Sequence, residues 1–212
     1  MYSIEVKNLS KIIKGSTVLN TINFSFEKGK IYGLYGYNGS GKTMFFRALS
    51  GLIKPTKGEI FIEGKKLHED ISHPNSLGIL IEYPGFWDNY TGFENLKALS
   101  SIKNIINDSD IKKSIEKVGL NFDDKRTYKK YSLGMKQRLG IAQAIMEKPS
   151  ILILDEPTNA LDEKGVQIVH KILLEEKLRG TTVIIASHNK EDISSLSDIK
   201  LKMDNGTLEK VL

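Results

Sequence analysis

The stretch that decides the fold is Gly36-Tyr37-Asn38-Gly39-Ser40-Gly41-Lys42-Thr43, which has the form G-x-x-x-x-G-K-[ST]. Its glycines allow backbone N–H groups to curl around phosphate oxygens, and a helix that follows points its positive end at the same oxygens. In such a loop Lys42 reaches the β- and γ-phosphates, and the Thr43 hydroxyl binds Mg²⁺. The pattern predicts binding of a nucleotide phosphate, but it does not separate a GTPase, a kinase and a transport ATPase.

The residues on either side of this loop fit the prediction. An apolar strand is expected at Ile31–Tyr35 and a helix at Lys42–Leu49, with Gly51 as its stop signal. The alternative is a glycine-rich turn whose lysine is merely exposed to solvent. A strand before the loop and a helix after it favour the phosphate-binding interpretation.

The rest of the chain alternates between strand and helix patterns. Besides the strand before the loop, short apolar or alternating runs predict strands at residues 2–9, 17–26, 59–62, 77–81, 151–154, 182–186, 199–203 and 207–211. Helical spacing predominates in residues 85–148. The predicted fold is therefore α/β: a mostly parallel sheet of the P-loop NTPase type, with an N-terminal antiparallel β part and an inserted α-helical subdomain. We expect residues 1–84 and 149–212 to form the nucleotide-binding core and residues 85–148 the helical subdomain.

The composition is that of an ordinary globular chain: 212 residues, 40% hydrophobic and 27% charged, with a net charge of +5. This mild positive charge attracts phosphate, nucleic acid and anionic membrane surfaces alike, so it does not choose between them. A solvated lysine-rich surface is the preferred interpretation, and we expect no nucleic-acid partner. The chain has no cysteine, which excludes disulfides and cysteine metal sites. No run approaches the roughly 18 apolar residues of a membrane span. We expect the chain to be soluble by itself and to reach a membrane only through another polypeptide.

Two carboxylates follow a buried-strand pattern. Residues 151–154 are apolar and lead into Asp155-Glu156. Because ligands of open parallel sheets sit at the carboxyl ends of strands, we expect both side chains at the same edge as the phosphate loop. Asp155 is predicted to hold Mg²⁺, and Glu156 to act as general base on the water that attacks the γ-phosphate. The alternative, an exposed acidic pair at a strand end, is disfavoured by the phosphate loop upstream.

His188 follows the next apolar strand and should reach the same edge of the sheet. A neutral histidine in that place hydrogen-bonds a phosphate oxygen and senses its loss, so we predict a catalytic role for it. The other histidines, His68, His73 and His170, are expected to be structural or exposed.

The segment Tyr131-Ser132-Leu133-Gly134-Met135-Lys136-Gln137-Arg138 resembles the signature of ATP-binding cassette (ABC) proteins, L-S-G-G-Q followed by K/R-Q-R. We expect Ser132 to be the N-cap of a helix that offers its N–H groups to a γ-phosphate. The resemblance implies that Ser132, Leu133, Gly134 and Met135 contact the ATP of a second cassette, paired head to tail with this one.

The resemblance covers essentially the whole chain in the order that the family shows, so the chain as a whole resembles a single ABC domain. Thr158-Asn159-Ala160-Leu161-Asp162 looks like the D-loop, with Asp162 as its acidic residue, and Ser187-His188 looks like the histidine switch. The family implies ATP and Mg²⁺ as cofactors and ATP hydrolysis as the activity.

Several positions depart from the pattern of the family. Leu133 and Met135 replace a Gly and the Gln of the signature, and Ala160 replaces the usual Gly of the D-loop. Glu82 stands at the Gln-loop position, where a carboxylate is expected to contact Mg²⁺ or its water. Ile13 stands where an aromatic residue usually stacks on adenine, so apolar contact with the base is expected without stacking.

A narrower resemblance concerns the segments Ile81-Glu82-Tyr83-Pro84-Gly85-Phe86-Trp87 and Tyr131-Ser132-Leu133-Gly134-Met135. Both are similar to the bacitracin and lantibiotic self-protection branch of exporters, in which a separate membrane permease is the partner. This implies a place at the cytoplasmic face of the membrane. The aromatic residues Phe86, Trp87 and Tyr90 would dock a helix of that partner; the alternative is that they pack the core of their own lobe.

Two other functions remain open from the sequence. One is a non-transport ABC ATPase acting on ribosomes or nucleic acid, and the other is a regulatory cassette that binds ATP but hydrolyses it weakly. The transported substance and the choice between a homodimer and a heterodimer of cassettes are not encoded in any residue identified above.

Overall fold

The computed structural model describes residues 1–82, 85–187, 193 and 195–211. Within these residues the strands are β1 Tyr2–Ile13, β2 Ser16–Glu27, β3 Ile31–Tyr35, β4 Lys57–Ile62, β5 Lys65–Lys66, β6 Leu77–Leu80, β7 Ile151–Asp155, β8 Thr182–Ala186, β9 Ile199–Asp204 and β10 Thr207–Val211. The α-helices are α1 Lys42–Leu49, α2 Gly92–Lys103, α3 Asp108–Lys117, α4 Leu133–Ile145 and α5 Glu163–Leu178.

The first sheet is antiparallel and has four strands in the order β2-β1-β4-β5. Its first two strands are longer than the predicted 2–9 and 17–26, and their pairing continues to Ile13 opposite Ser16. The reason lies in the turn between them, where Lys14 and Gly15 have φ angles of 48° and 83°. Such a two-residue turn matches the twist of the strands, so the ladder reaches the tip of the hairpin.

The second sheet has six strands in the order β10-β9-β3-β8-β7-β6. All neighbouring pairs are parallel except the edge hairpin β9–β10. β3, which leads into the phosphate loop, therefore lies between two strands from the other end of the chain. The predicted α/β fold, with a mostly parallel sheet and an N-terminal antiparallel part, is confirmed.

The parallel sheet is buried on both faces. In β7, Ile151 and Ile153 pack with α1 and the first sheet, whereas Leu152 and Leu154 pack with the longer helices. All four side chains are almost fully buried, and each contributes about 1.5–3 kcal/mol by leaving water. This explains why the strand reads as a continuous apolar run instead of an alternating one.

The region between β6 and β7 is mainly helical. It holds α2, α3, a 3-10 turn at Tyr128–Lys130 and α4. α4 begins directly after Ser132, as expected, and ends at Ile145. Lys148, just before Pro149, adopts a positive φ of 50°. The division into a core and a helical subdomain stays a prediction. Among the described residues, none of the helices combines the length and the apolar character needed to cross a bilayer.

Candidate nucleotide site

A cleft of about 360 Å³ opens where β3 and β7 end. It brings together the phosphate loop with the start of α1, the acidic pair and single residues from four other places in the chain. The lining residues are Val18, Asn38, Gly39, Gly41, Lys42, Thr43, Met44, Glu82, Gln137, Asp155, Glu156 and Asn159.

The N-terminus of α1 points into this cleft without a capping side chain. Its N-cap is Gly41, at φ 111°, and no acidic residue occupies its first turn. The first N–H groups of a helix have no partner within the helix and carry a partial positive charge, so this end favours an anion. The geometry fits the predicted phosphate site.

Lys42 is buried at the centre of the loop. Its Nζ donates to the carbonyls of Gly36, at 2.8 Å, and Tyr37, at 3.2 Å. Only 7% of the residue is exposed, so the ammonium group is fixed within the loop that surrounds it. A bound phosphate would offer stronger, charged acceptors in place of these neutral carbonyls.

The loop is supported from outside by the β9–β10 hairpin. Gly206, in the turn of that hairpin, donates its N–H to the carbonyl of Ser40 at 2.9 Å and accepts from the N–H of Asn20 at 2.8 Å. A Cβ at Gly206 would lie 2.7 Å from the carbonyl oxygen of Val18. The turn thus holds the phosphate loop and β2 at fixed positions relative to each other.

Thr43 and Asp155 meet across the cleft. The Thr43 hydroxyl donates to Oδ2 of Asp155 at 2.7 Å. Burial raises the pKa of the Asp155 carboxyl above its usual range, the Thr43 hydrogen bond lowers it, and the charge of Glu156 raises it again. The direct contact joins two residues that lie 112 positions apart.

This pair fits the predicted Mg²⁺ site. Both partners supply oxygen ligands, which Mg²⁺ requires, and they lie beside the phosphate loop. Over the described residues, no group of three or more His, Cys, Asp or Glu side chains is arranged to hold a metal. Sites for Mg²⁺ commonly combine one or two protein ligands with substrate phosphates and water.

Glu156 has a strained backbone. Its φ is 50°, in the left-handed region that glycine favours, while its N–H still donates to Ala186 in the neighbouring strand. Its carbonyl accepts two hydrogen bonds, from Nε2 of Gln137 at 2.9 Å and from the N–H of Asn159 at 3.1 Å. Such strain persists only where surrounding contacts enforce it, and it concentrates at functional sites.

Glu82 lines the cleft just beyond β6. Both of its carboxylate oxygens lie 3.1 Å from Nη2 of Arg47, in the last turn of α1. The expected contact of Glu82 with Mg²⁺ stays a prediction. The arginine balances the extra negative charge that a glutamate brings to the Gln-loop position.

Ile13 lies at the tip of the β1–β2 hairpin, 37% exposed, and does not line the cleft. The apolar residue of this region that does line it is Val18, at the start of β2. Sequence reasoning did not single out Val18, Met44, Gln137 or Asn159. Two of them fell within quoted motifs: Gln137 is the central residue of the K-Q-R run, and Asn159 belongs to the D-loop segment.

The signature residues lie away from this cleft. The Ser132 side chain accepts from the N–H of Met135 at 3.2 Å, which confirms the predicted N-cap. Leu133 is 49% exposed. None of residues 132–135, all of them described, lines the cleft formed by their own chain.

The D-loop residues lie beside the signature helix. A Cβ at Gly134 would lie 2.9 Å from the carbonyl oxygen of Ala160, which itself has a φ of 61°. Asp162 is the N-cap of α5, and its Oδ1 accepts from Gly165 N–H and from Nη2 of Arg138, both at 2.9 Å. His188 lies outside the described residues.

The arrangement matches a known family. A family model described as "ABC transporter" matches residues 19–159, which is more than half of the 212-residue chain. The chain belongs to the ABC transporter family. This confirms the resemblance that the signature segment indicated.

Two curated relatives within the ABC transporter family cover almost the whole chain. The uncharacterized ABC transporter ATP-binding protein YybJ of Bacillus subtilis (strain 168) is 62% identical over 97% of this chain and 94% of the relative. The bacitracin transport ATP-binding protein BcrA of Enterococcus faecalis is 43% identical over 98% of this chain and 68% of the relative. The predicted similarity to the bacitracin branch of ABC exporters is confirmed.

A solved ABC cassette shares the fold. The dimeric structure of MJ0796, a bacterial ABC transporter cassette, matches with a TM-score of 0.88 at 23% identity, covering 99% of both chains. The two sheets and the helical region described above are therefore those of an ABC cassette.

Proposed function

We propose that this chain hydrolyses ATP and thereby powers a separate membrane permease that exports peptide antibiotics or related drugs. The observation that carries the ATPase part is the contact between Thr43 and Asp155, which joins the phosphate loop to the acidic strand. The export part is supported by the 43% identity to a bacitracin transport protein.

Within the cleft each side chain has a distinct task. When nucleotide binds, the Lys42 ammonium group donates to phosphate oxygens in place of the loop carbonyls. The N–H groups at the start of α1 bind the same phosphate. Thr43 and Asp155 would hold Mg²⁺, which when bound neutralises charge on the β- and γ-phosphate oxygens. Glu156 accepts the proton of the attacking water.

A second cassette completes the site in this proposal. The signature residues do not line the cleft of their own chain, and Leu133 is half-exposed, which leaves room for them to approach the γ-phosphate held by a partner in head-to-tail arrangement. The N-terminus of α4, where Ser132 caps the N–H of Met135, carries a partial positive charge that favours such an anion. The dimeric cassette with the same fold is consistent with this arrangement.

The permease would dock near the aromatic residues of the helical region. Phe86 is partly buried and packs edge-on against Tyr128 at a centroid distance of 5.2 Å, so it contributes to the core of its own lobe. Trp87 and Tyr90 are 53% and 46% exposed, and the centroids of their rings lie 5.6 Å apart. Buried Asn95 fixes this segment through hydrogen bonds with the backbone of Trp87 and Tyr90. The two exposed rings thus form a rigid apolar face.

Co-purification of the tagged chain from its native cell, in mild detergent with ATP, tests the proposal. Glu156→Gln should trap the closed pair and enrich one or two multi-span membrane proteins in fixed ratio, while Glu116→Gln, on an exposed face of α3, serves as the control. Ribosomal or DNA-bound partners without any membrane protein would overturn the transport assignment.

The docking face is tested in the same assay. Replacing Trp87 and Tyr90 together by alanine should remove the membrane partner while ATP binding by the purified chain is unchanged. Tyr2→Ala, which removes an equally exposed ring from the antiparallel sheet, should retain the partner. Retention of the permease by the double variant would show that it docks elsewhere.

A further inference from the structure

The signature helix holds the segment that follows β7 at three points. This β7–α5 segment, residues 156–162, contains the predicted general base and the D-loop. Gln137 bonds to the carbonyl of Glu156, Gly134 lies against the carbonyl of Ala160, and Arg138 bonds to Asp162. The contacts all come from the first two turns of α4, which begin at the signature.

Of these contacts, the one from Gln137 reaches the residue whose geometry matters most. Gln137 is only 8% exposed, and its amide donates to Glu156 at 2.9 Å. The amide also lines the cleft itself. A buried amide that already has this acceptor is held in one position, since losing the bond would leave a buried polar group unsatisfied.

Glu156 needs such a hold because its φ of 50° is unfavourable for a residue with a Cβ. Relaxation of that angle would rotate the Cα–Cβ bond and move the carboxylate. Besides the N–H, which bonds to Ala186 of β8, the carbonyl is a point at which this conformation is held by residues outside β7. Gln137 and the Asn159 N–H supply that fixation.

We propose that Gln137 is a positioning residue for Glu156, and that α4 thereby links the signature surface to the general base of its own chain. The inference rests on the proposed role of Glu156 in ATP hydrolysis. When a partner's nucleotide contacts residues 132–135, any displacement of α4 reaches Glu156 through the Gln137 amide. The same helix thus contacts the nucleotide of the second cassette and positions the general base, Glu156, of its own chain.

Gln137→Leu tests the proposal, because it keeps the size of the side chain and removes the amide. The matched control is Gln143→Leu on the same helix, where the side chain lines a different cavity with Leu77 and Leu99. We expect kcat for ATP to fall about 10- to 100-fold in Gln137→Leu, as for a misplaced catalytic group, with KM and nucleotide Kd within twofold of the parent. Gln143→Leu should leave all three unchanged.

A second readout does not depend on turnover. In the nucleotide-free chain, amide hydrogen exchange of residues 156–162 should accelerate in Gln137→Leu but not in Gln143→Leu. Gln137→Glu, which keeps the polar shape and turns a donor into an acceptor, should reproduce both effects if the leucine variant does not fold. Unchanged exchange or an unchanged kcat in a folded Gln137 variant would overturn the proposal.

The Glu156→Gln variant separates this inference from the proposed function. If Gln137 acts through Glu156, adding Gln137→Leu to Glu156→Gln should lower the residual rate by less than twofold. If the decrease in kcat of the double variant equals the product of the decreases in the two single variants, Gln137 acts independently of Glu156 and the proposal is contradicted. Normal turnover by Glu156→Gln alone would instead refute the role of Glu156.

Discussion

Asp155 is held in the folded chain at a cost in stability. Burial raises the pKa of its carboxyl, the Thr43 hydrogen bond lowers it, and the nearby charge of Glu156 raises it again, so the net direction is upward. A carboxyl whose pKa is raised on folding binds protons more tightly in the folded state, and stability therefore falls as the pH rises through that pKa. At neutral pH the ionised Asp155 destabilises the nucleotide-free protein.

Asp155→Asn should therefore stabilise the nucleotide-free chain at pH 7, raising Tm by about 3 °C. The amide oxygen still accepts from Thr43, while the buried charge is gone. Thermal unfolding followed by circular dichroism checks this. The gain should vanish below about pH 3.5, where the aspartate is protonated in both states.

The same variant should lose Mg²⁺-dependent ATPase activity by more than about 100-fold, since a proposed ligand of Mg²⁺ is removed. Asp123→Asn, on an exposed surface, is the control and should change neither Tm nor activity. A lower Tm for Asp155→Asn would contradict the burial argument.

At the residue scale, the sequence predicted those residues of the cleft that belong to motifs. It missed the residues that reach the cleft only through the packing of the folded chain. The phosphate loop and Asp155-Glu156 are recognisable because their chemistry dictates residue types at fixed spacing. Val18 reaches the cleft because β2 crosses it, and no local pattern encodes that. The positive φ of Ala160 was equally invisible, although the D-loop position was recognised.

At the element scale, the starts of α1 at Lys42 and of α4 after Ser132 were predicted correctly, whereas the start of α2 was not predicted. α2 begins with a capping box: the Glu94 N–H donates to the Thr91 hydroxyl at 3.2 Å, and the Thr91 N–H donates to the Glu94 carboxylate at 2.7 Å. That backbone donor, together with the Thr91 hydroxyl, holds the pKa of Glu94 below its usual range. A depressed pKa contributes stability above the ordinary pKa that is lost as pH falls through the depressed value.

Thr91→Ala should lower the free energy of unfolding by about 1 kcal/mol at pH 7, because the N-cap bond is lost. Urea denaturation measures the difference, which should shrink as Glu94 is protonated in acid. Ser101→Ala, on an exposed face of the same helix, is the control and should be neutral or slightly stabilising. An equal loss in both variants would point to a general weakness of α2 instead of the cap.

At the scale of the whole molecule, the two sheets meet at the phosphate loop, and the hairpin turn at Gly206 fixes their relation there. The φ angles of Asn205 and Gly206, 45° and 77°, are nearly those of Glu63 and Gly64 in the turn between β4 and β5, 49° and 82°. The two turns differ in their surroundings, because a Cβ at Gly64 would meet nothing within 4 Å. This makes Gly64 a matched control for Gly206.

Gly206→Ala should weaken nucleotide binding about tenfold, since the added methyl group pushes against Val18 and shifts the loop by way of Ser40. Gly64→Ala carries the same backbone strain and should lower stability without changing nucleotide affinity. Calorimetric titration with ATP and Mg²⁺ distinguishes the two. Equal affinity in both variants would show that the turn supports only the fold.

The position of β3 has a consequence for synthesis. Its hydrogen-bonded neighbours are β8 and β9, and its loop rests on Gly206. On the ribosome, residues 31–43 therefore emerge long before the strands that flank them, and the nascent chain must wait for residues up to 206 before its nucleotide site can close. A nascent chain that has not yet reached Gly206 therefore lacks the support of its phosphate loop, and we expect nucleotide capture to begin only after that residue has emerged.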